Sequence, residues 1–205
     1  VISLLMQYLD SNDILIDGGN TNPNVSFENH QTIKSKNLLY LGMGVSGGVK
    51  GVLEGPSIMI GGDTNAFDQV KNIFSQITSK TINGSKSFEF FGDSNQGHFV
   101  KMIHNGIEYV EMQLISSIYY LMINSKKYMY DDVAKIFKKW NDIDLNSYLL
   151  EISLLKLTEK TDDIYLLDRI DDKADDNGTG RWMLKHAIDL GCSVSLLNSA
   201  IDSRF

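Results

Sequence analysis

The sequence predicts an α/β unit with a mostly parallel sheet up to about residue 95, followed by an all-helical unit. Two observations carry this expectation. Four short apolar runs, DILID at 13–17, LLYLGM at 38–43, SIMIGG at 57–62 and KSFEFFG at 86–92, are separated by segments of helical character, the alternation of a sheet with crossover helices. After Gly97 no strand signal competes with helical periodicity.

In chain order, residues 1–9 read as an amphipathic helix leading into DILID and the glycines Gly18 and Gly19. Pro23 stands where a first helical residue can stand, and a helix to about Lys36 leads to LLYLGM and the glycine-rich GVSGGVKG. A helix from Thr64 to about Ile77 follows SIMIGG, and KSFEFFG closes the series. Further helices are expected from Gly97 to about Asn124, from Asp131 to Trp140 and from Asn146 to Thr158, with Asp131 and Asp132 as caps. Seven aspartates between Asp162 and Asp176 read as a solvated connection, and GTG at 178–180 opens helical sequence running to about Gly191 and again from Val194.

An α/β unit that starts on a helix is expected to have lost a preceding strand. The opening VISLLMQYLD does not begin with methionine and carries no basic leader. The chain is therefore expected to be an internal part of a longer protein. A dinucleotide-binding G-x-G-x-x-G would stand on the first strand-to-helix turn, upstream of Val1.

Composition narrows the function classes. With 42% hydrophobic and 22% charged residues the chain is globular, and a formal net charge of -7 argues against a nucleic-acid surface or a long basic membrane-binding run. No apolar run reaches the roughly 18 residues of a membrane span, because Glu111 and Gln113 interrupt the most hydrophobic region. A single cysteine, Cys192, excludes an internal disulfide framework and fits a reducing, cytoplasmic compartment. Four histidines without paired spacing speak against a metal site.

The candidate chemistry begins in GHFVKMIHNGIEYVEMQLI, 97–115. At about 100° per residue, Lys101, His104, Asn105 and Glu108 share one sector of roughly 100°, with Phe99, Ile103, Ile107, Val110 and Leu114 opposite. A solvated helix face competes on even terms from spacing alone. Composition favours function: a desolvated lysine can give up its proton near neutral pH, and a carboxyl group in the same cleft can be held protonated, making a matched base and acid. DGGN at 17–20 and VSGG at 45–48 both follow apolar runs. Asn20 and Ser46 could face one crevice at the carboxyl ends of strands, where glycines let backbone N–H groups converge on an anion. Thr179 in GTGRW is a weaker candidate at a helix start, and Arg204 could clamp a phosphate. A helix cap and an exposed arginine are the ordinary explanations.

In this order, DGGN, GVSGG with GVLEGPSIMIGG, GHFVKMIHNGIEYVEMQLI and GTGRW, the chain resembles the 6-phosphogluconate dehydrogenase family from end to end. GHFVKMIHNGIEY is the specific part, since more distant hydroxyacid dehydrogenases usually carry Asn where His104 stands. The resemblance implies a Rossmann-like NADP-binding domain, here its later part at 1–95, and the beginning of an all-helical domain at 96–205. It implies oxidative decarboxylation of 6-phosphogluconate to ribulose 5-phosphate and CO2 with reduction of NADP, without a metal, in the oxidative pentose phosphate pathway and in a homodimer.

By the same resemblance Lys101 is the general base and then acid, and Glu108 is the acid that protonates carbon. Asn20, Ser46, Gly47, Gly48, His104 and Asn105 hold the sugar acid, with Asn20 also near the nicotinamide, and Tyr109, Thr179 and Arg204 bind the phosphate. The chain departs from the family at Asn177, where lysine is usual, and at Arg181, another usual lysine; Lys173 or Arg181 could compensate. The alternatives are a nondecarboxylating 3-hydroxyacid dehydrogenase of the same superfamily and a catalytically dead dimerisation or binding homologue. The 205 residues alone are expected not to turn over.

Overall fold

The computed structural model describes residues 1–204. It divides into two compact units that meet within one long helix, the first comprising Val1–Asn105 and the second beginning at Gly106.

The first unit is built on a four-stranded sheet, β1 (Ile14–Asp17), β2 (Leu39–Ser46), β3 (Ser57–Gly62) and β4 (Phe88–Phe90), in that spatial order. The pairs β1·β2 and β3·β4 are parallel, whereas β2·β3 is antiparallel, with Ser46 opposite Ser57. The exception has a local cause. Only residues 47–56 separate β2 from β3, fewer than the dozen or so that a parallel crossover takes. The GVSGG stretch straddles the end of the strand: Gly44, Val45 and Ser46 finish β2, and a short helix α3 (Gly48–Glu54) begins at Gly48.

Helix α2 (Pro23–Lys34) starts on Pro23 and is capped by the Asn22 side chain, which accepts from Asn24 N–H at 2.9 Å. Helix α4 (Thr64–Ile77) lays Ala66 and Phe74 on Leu41, Ile58 and Ile60, and Phe67 stacks on Phe90 with ring centroids 4.7 Å apart. The first helix is shorter than expected. It covers only Ile2–Leu5 as α1, although Ile2, Met6 and Leu9 still pack on Leu15, Ile33, Leu38 and Tyr40. No side chain caps it, and so short a helix has little stability of its own.

The second unit contains most of α5 (Gln96–Asn124), with α6 (Tyr130–Asn141), α7 (Tyr148–Thr158), α8 (Thr179–Asp189) and α9 (Ser195–Asp202). Val133, Phe137, Leu150 and Leu157 form one core with Tyr119 and Trp140; Leu197, Ala200 and Ile201 form another around Tyr109 and Met183. Asp132 accepts from Met129 N–H at 3.2 Å, capping the start of α6.

The aspartate-rich connection is more ordered than the sequence suggests. Two short strands, β5 (Lys160–Thr161) and β6 (Ile164–Tyr165), pair antiparallel around Asp162 and Asp163, and a 3-10 turn covers Leu166–Arg169. The φ angles of those two aspartates are +53° and +62°. Two consecutive left-handed residues make the tight turn that suits a hairpin, and aspartate tolerates that conformation better than most residues.

Among the described residues no helix is long and apolar enough to cross a membrane.

Candidate active site

The first residues of α5, which belong to the first unit, run over a floor of glycines. A Cβ on Gly97 would stand 2.6 Å from Gly61 N and 2.7 Å from Met59 O, and one on Gly42 would meet the His98 ring at 2.9 Å. One turn further along α5, a Cβ on Gly44 would overlap Lys101 Cβ and lie 2.7 Å from its Cγ. Bare backbone on β2 and β3 therefore sets how close the helix comes and where the lysine stem lies. Gly42, Gly44 and Gly47 spell a literal G-x-G-x-x-G. Its first two glycines lie inside β2 and receive α5, so it is not a phosphate-binding turn between strand and helix.

Lys101, His104, Asn105 and Glu108 are all half-buried. The line that α5 buries most is Met102, Gly106 and Tyr109, which lies between the polar stripe and the apolar side. Ile107 and Leu114, on the apolar side opposite the stripe, are 59% and 51% exposed. Gly106 is buried because Met183 occupies the space its side chain would take.

Within the first unit, Ser46 Oγ lies 3.3 Å from His104 Nε2, tying the end of β2 to α5. Gly47 has φ +137° and Gly48 φ +53°, and both are exposed. In DGGN, Asp17 organises the loop: Gly19 N–H donates to one carboxylate oxygen at 3.0 Å and Thr21 Oγ1 to the other at 3.0 Å. Asn20 is exposed on this loop, at the carboxyl end of β1.

Beneath that loop runs a buried polar chain that sequence reasoning missed. His98 Nδ1 lies 2.8 Å from Ser26 Oγ, which is 3.1 Å from Tyr40 Oη, and Tyr40 donates to Asp17 at 3.3 Å. Burial holds the His98 ring below its ordinary pKa, and the Asp17 charge offsets this only in part. Burial likewise pushes the Tyr40 phenol up. Nothing in the spacing of residues 17, 26, 40 and 98 signals the chain. The glycine floor did leave a signal, because glycines two apart inside an apolar strand mark a close backbone approach.

The second unit gathers Tyr109, Thr179 and Arg204. Tyr109 is 8% exposed and Thr179 is 2% exposed at the start of α8, where Gly178 has φ +86°. The Arg204 guanidinium lies over the Tyr109 ring, 4.2 Å from its centroid, and donates to the Asp175 carbonyl at 2.7 Å. Gly180 fits against the same ring, where a Cβ would come within 2.6 Å of two ring carbons.

Asp176, not singled out from sequence, joins these groups. Its carboxylate accepts from Tyr109 Oη at 3.2 Å and Gly178 N–H at 2.7 Å, and Arg181 Nε lies 2.7 Å from its other oxygen. Lys173, the other basic residue considered beside Asn177, lies 3.7 Å from Asp171 in an exposed pair. An apolar groove of about 380 Å³ between α5, α6 and α7 is lined by Met112, Tyr119, Phe137 and Leu157, and Met112 Sδ lies 3.9 Å from the Arg204 guanidinium. Lined almost wholly by apolar carbon, it offers little for acid–base chemistry.

The NAD binding domain of 6-phosphogluconate dehydrogenase matches residues 1–85, and the C-terminal domain of 6-phosphogluconate dehydrogenase matches residues 97–205. The decarboxylating 6-phosphogluconate dehydrogenase of Dictyostelium discoideum is 42% identical over 207 residues, covering 99% of this chain and 42% of that protein. That of Homo sapiens is 41% identical over 205 residues, covering 99% and 42%. The solved structure of Plasmodium falciparum 6-phosphogluconate dehydrogenase superposes with a TM-score of 0.93 at 40% identity, covering 99% of this chain and 44% of that one. A 3-hydroxyisobutyrate dehydrogenase from Mycobacterium tuberculosis shares the fold alone, with a TM-score of 0.70 at 17% identity over 96% of this chain and 65% of that one. The chain thus spans less than half the length of the curated relatives it matches. Matched in both halves, it belongs to the 6-phosphogluconate dehydrogenase family.

Proposed function

We propose that the protein, at its full natural length, oxidises and decarboxylates 6-phosphogluconate to ribulose 5-phosphate and CO2 with reduction of NADP, acting as a cytoplasmic homodimer. The observation that carries this reading is Lys101, half-buried on α5 against Gly44, with Glu108 seven residues on along the same helix. The Plasmodium falciparum relative is described in complex with NADP+ and with 6-phosphogluconate, which supports both ligands.

The first unit fits the nicotinamide end of the cofactor. Asn20 offers an exposed amide at the carboxyl end of β1, the usual ligand side of such sheets. On the same loop, a Cβ on Gly18 would lie 2.9 Å from Met43 Cε, so a side chain there would push the methionine tip aside. Bound NADP supplies the hydride acceptor. Ser46, Gly47, Gly48, His104 and Asn105 hold the sugar acid, and Tyr109, Thr179 and Arg204 hold its phosphate.

Lys101 accepts the substrate's hydroxyl proton as hydride leaves the same carbon. In protonated form it hydrogen-bonds the new ketone oxygen, drawing electron density there while the bond to the carboxylate breaks and CO2 departs. The proton passes to that oxygen, leaving an enediol. Glu108 then protonates the enediol carbon as Lys101 takes the hydroxyl proton back.

The test is to measure NADPH formation and CO2 release together, with 6-phosphogluconate and with 3-hydroxyisobutyrate. Equal amounts of both products from 6-phosphogluconate, and neither from 3-hydroxyisobutyrate, are expected. NADPH without CO2 would replace this reading with nondecarboxylating oxidation of a hydroxyacid.

A further inference from the structure

We infer that Asp176 competes with the substrate phosphate for the donors at the start of α8 and thereby sets the affinity of the site for phosphorylated sugar acids. The inference rests on the proposed assignment of Tyr109, Thr179 and Arg204 to the phosphate.

The Asp176 side chain is 10% exposed. Its carboxylate engages a phenol, the backbone N–H of Gly178 and the guanidinium of Arg181. These are the donors a phosphate monoester also uses: a hydroxyl, an amide at a helix start and an arginine. Tyr109 has one hydroxyl proton to give, and it points to Asp176. Arg204 is turned to the Asp175 carbonyl and the Tyr109 ring. Between Ala174 and Gly180 the sequence ADDNGTG supplies no basic side chain.

A phosphate dianion arriving here must displace the carboxylate or bind beside it. Displacement surrenders three contacts, and binding beside it places like charges together; both weaken binding. Asp176→Asn removes the charge while keeping an oxygen that accepts from Gly178 N–H. Asp176→Ser does the same with a shorter side chain.

The experiment uses the protein at its full natural length, with both variants. It measures the Kd of inorganic phosphate by titration calorimetry and the KM for 6-phosphogluconate. Both constants are expected to fall by about fivefold or more in a folded variant. Constants that stay the same or rise overturn the inference, because the carboxylate would then be holding Tyr109 and Arg181 in place for the phosphate. If the unaltered protein does not oxidise 6-phosphogluconate, the proposed function fails and the inorganic phosphate Kd alone decides the role of Asp176.

Discussion

Gly44 lies against the stem of Lys101 so closely that a Cβ on the glycine would overlap the Cβ of the lysine. The strand thus fixes the position of the lysine, and a methyl group there must push either α5 or the lysine aside. Gly44→Ala is expected to lower kcat/KM by about a hundredfold, the cost of displacing a reacting group by about 1 Å. Steady-state kinetics on the folded variant checks this. Retention of more than half the activity would mean that the lysine's position is not set by β2.

Ser46 and His104 are joined by a single contact of 3.3 Å. A hydrogen bond of this kind contributes about 0.5–1.5 kcal/mol. Ser46→Ala is therefore expected to raise the KM for the sugar acid by about threefold to tenfold. An unchanged KM would remove Ser46 from the substrate site.

Gly180 packs flat against Tyr109, leaving no space for a methyl group. Gly180→Ala should cost about 1–3 kcal/mol by overpacking and should shift the ring on which Arg204 lies. Thermal unfolding measures the first effect, and a higher KM for the phosphorylated substrate reports the second. A variant as stable as the parent would show that α8 can move away from α5 without loss.

His98 makes the first unit sensitive to acid. Its ring is held below the ordinary pKa by burial, with Asp17 opposing that shift only in part. The unfolded chain therefore takes up a proton at a pH where the folded chain does not. This contribution to stability is fully present above the unfolded value of about 6.5 and is lost as pH falls from there toward the lowered folded value. The melting temperature is expected to drop between about pH 7.5 and 5.5, and His98→Asn should flatten that drop. An equally steep drop in the variant would assign the acid sensitivity to other groups.

The elements with strong periodic patterns, α2, α4, α5 and the four strands of the sheet, were legible in the sequence because period and punctuation agree there. The antiparallel β2·β3 pair was not, since it follows from the length of one connection rather than from the strands themselves. The β5·β6 hairpin hid in a run of aspartates whose turn geometry depends on two left-handed residues. Lys101, His104 and Glu108 stood out because helical spacing places them on one stripe. Ser26, Tyr40 and His98 could not stand out, because residues far apart in sequence meet only once the sheet is built. Asp176 was masked by six other aspartates, and only the positions of Tyr109, Gly178 and Arg181 distinguish it.

The central claim is that Lys101 carries the acid–base chemistry of a decarboxylating oxidation. The most direct test is NADPH formation and CO2 release from 6-phosphogluconate by the protein at its full natural length, beside Lys101→Met. The account predicts both products from the unaltered protein and a loss of about a thousandfold or more in the variant, within the range for general acid–base catalysis. A variant that still forms NADPH and CO2 at a comparable rate would contradict it.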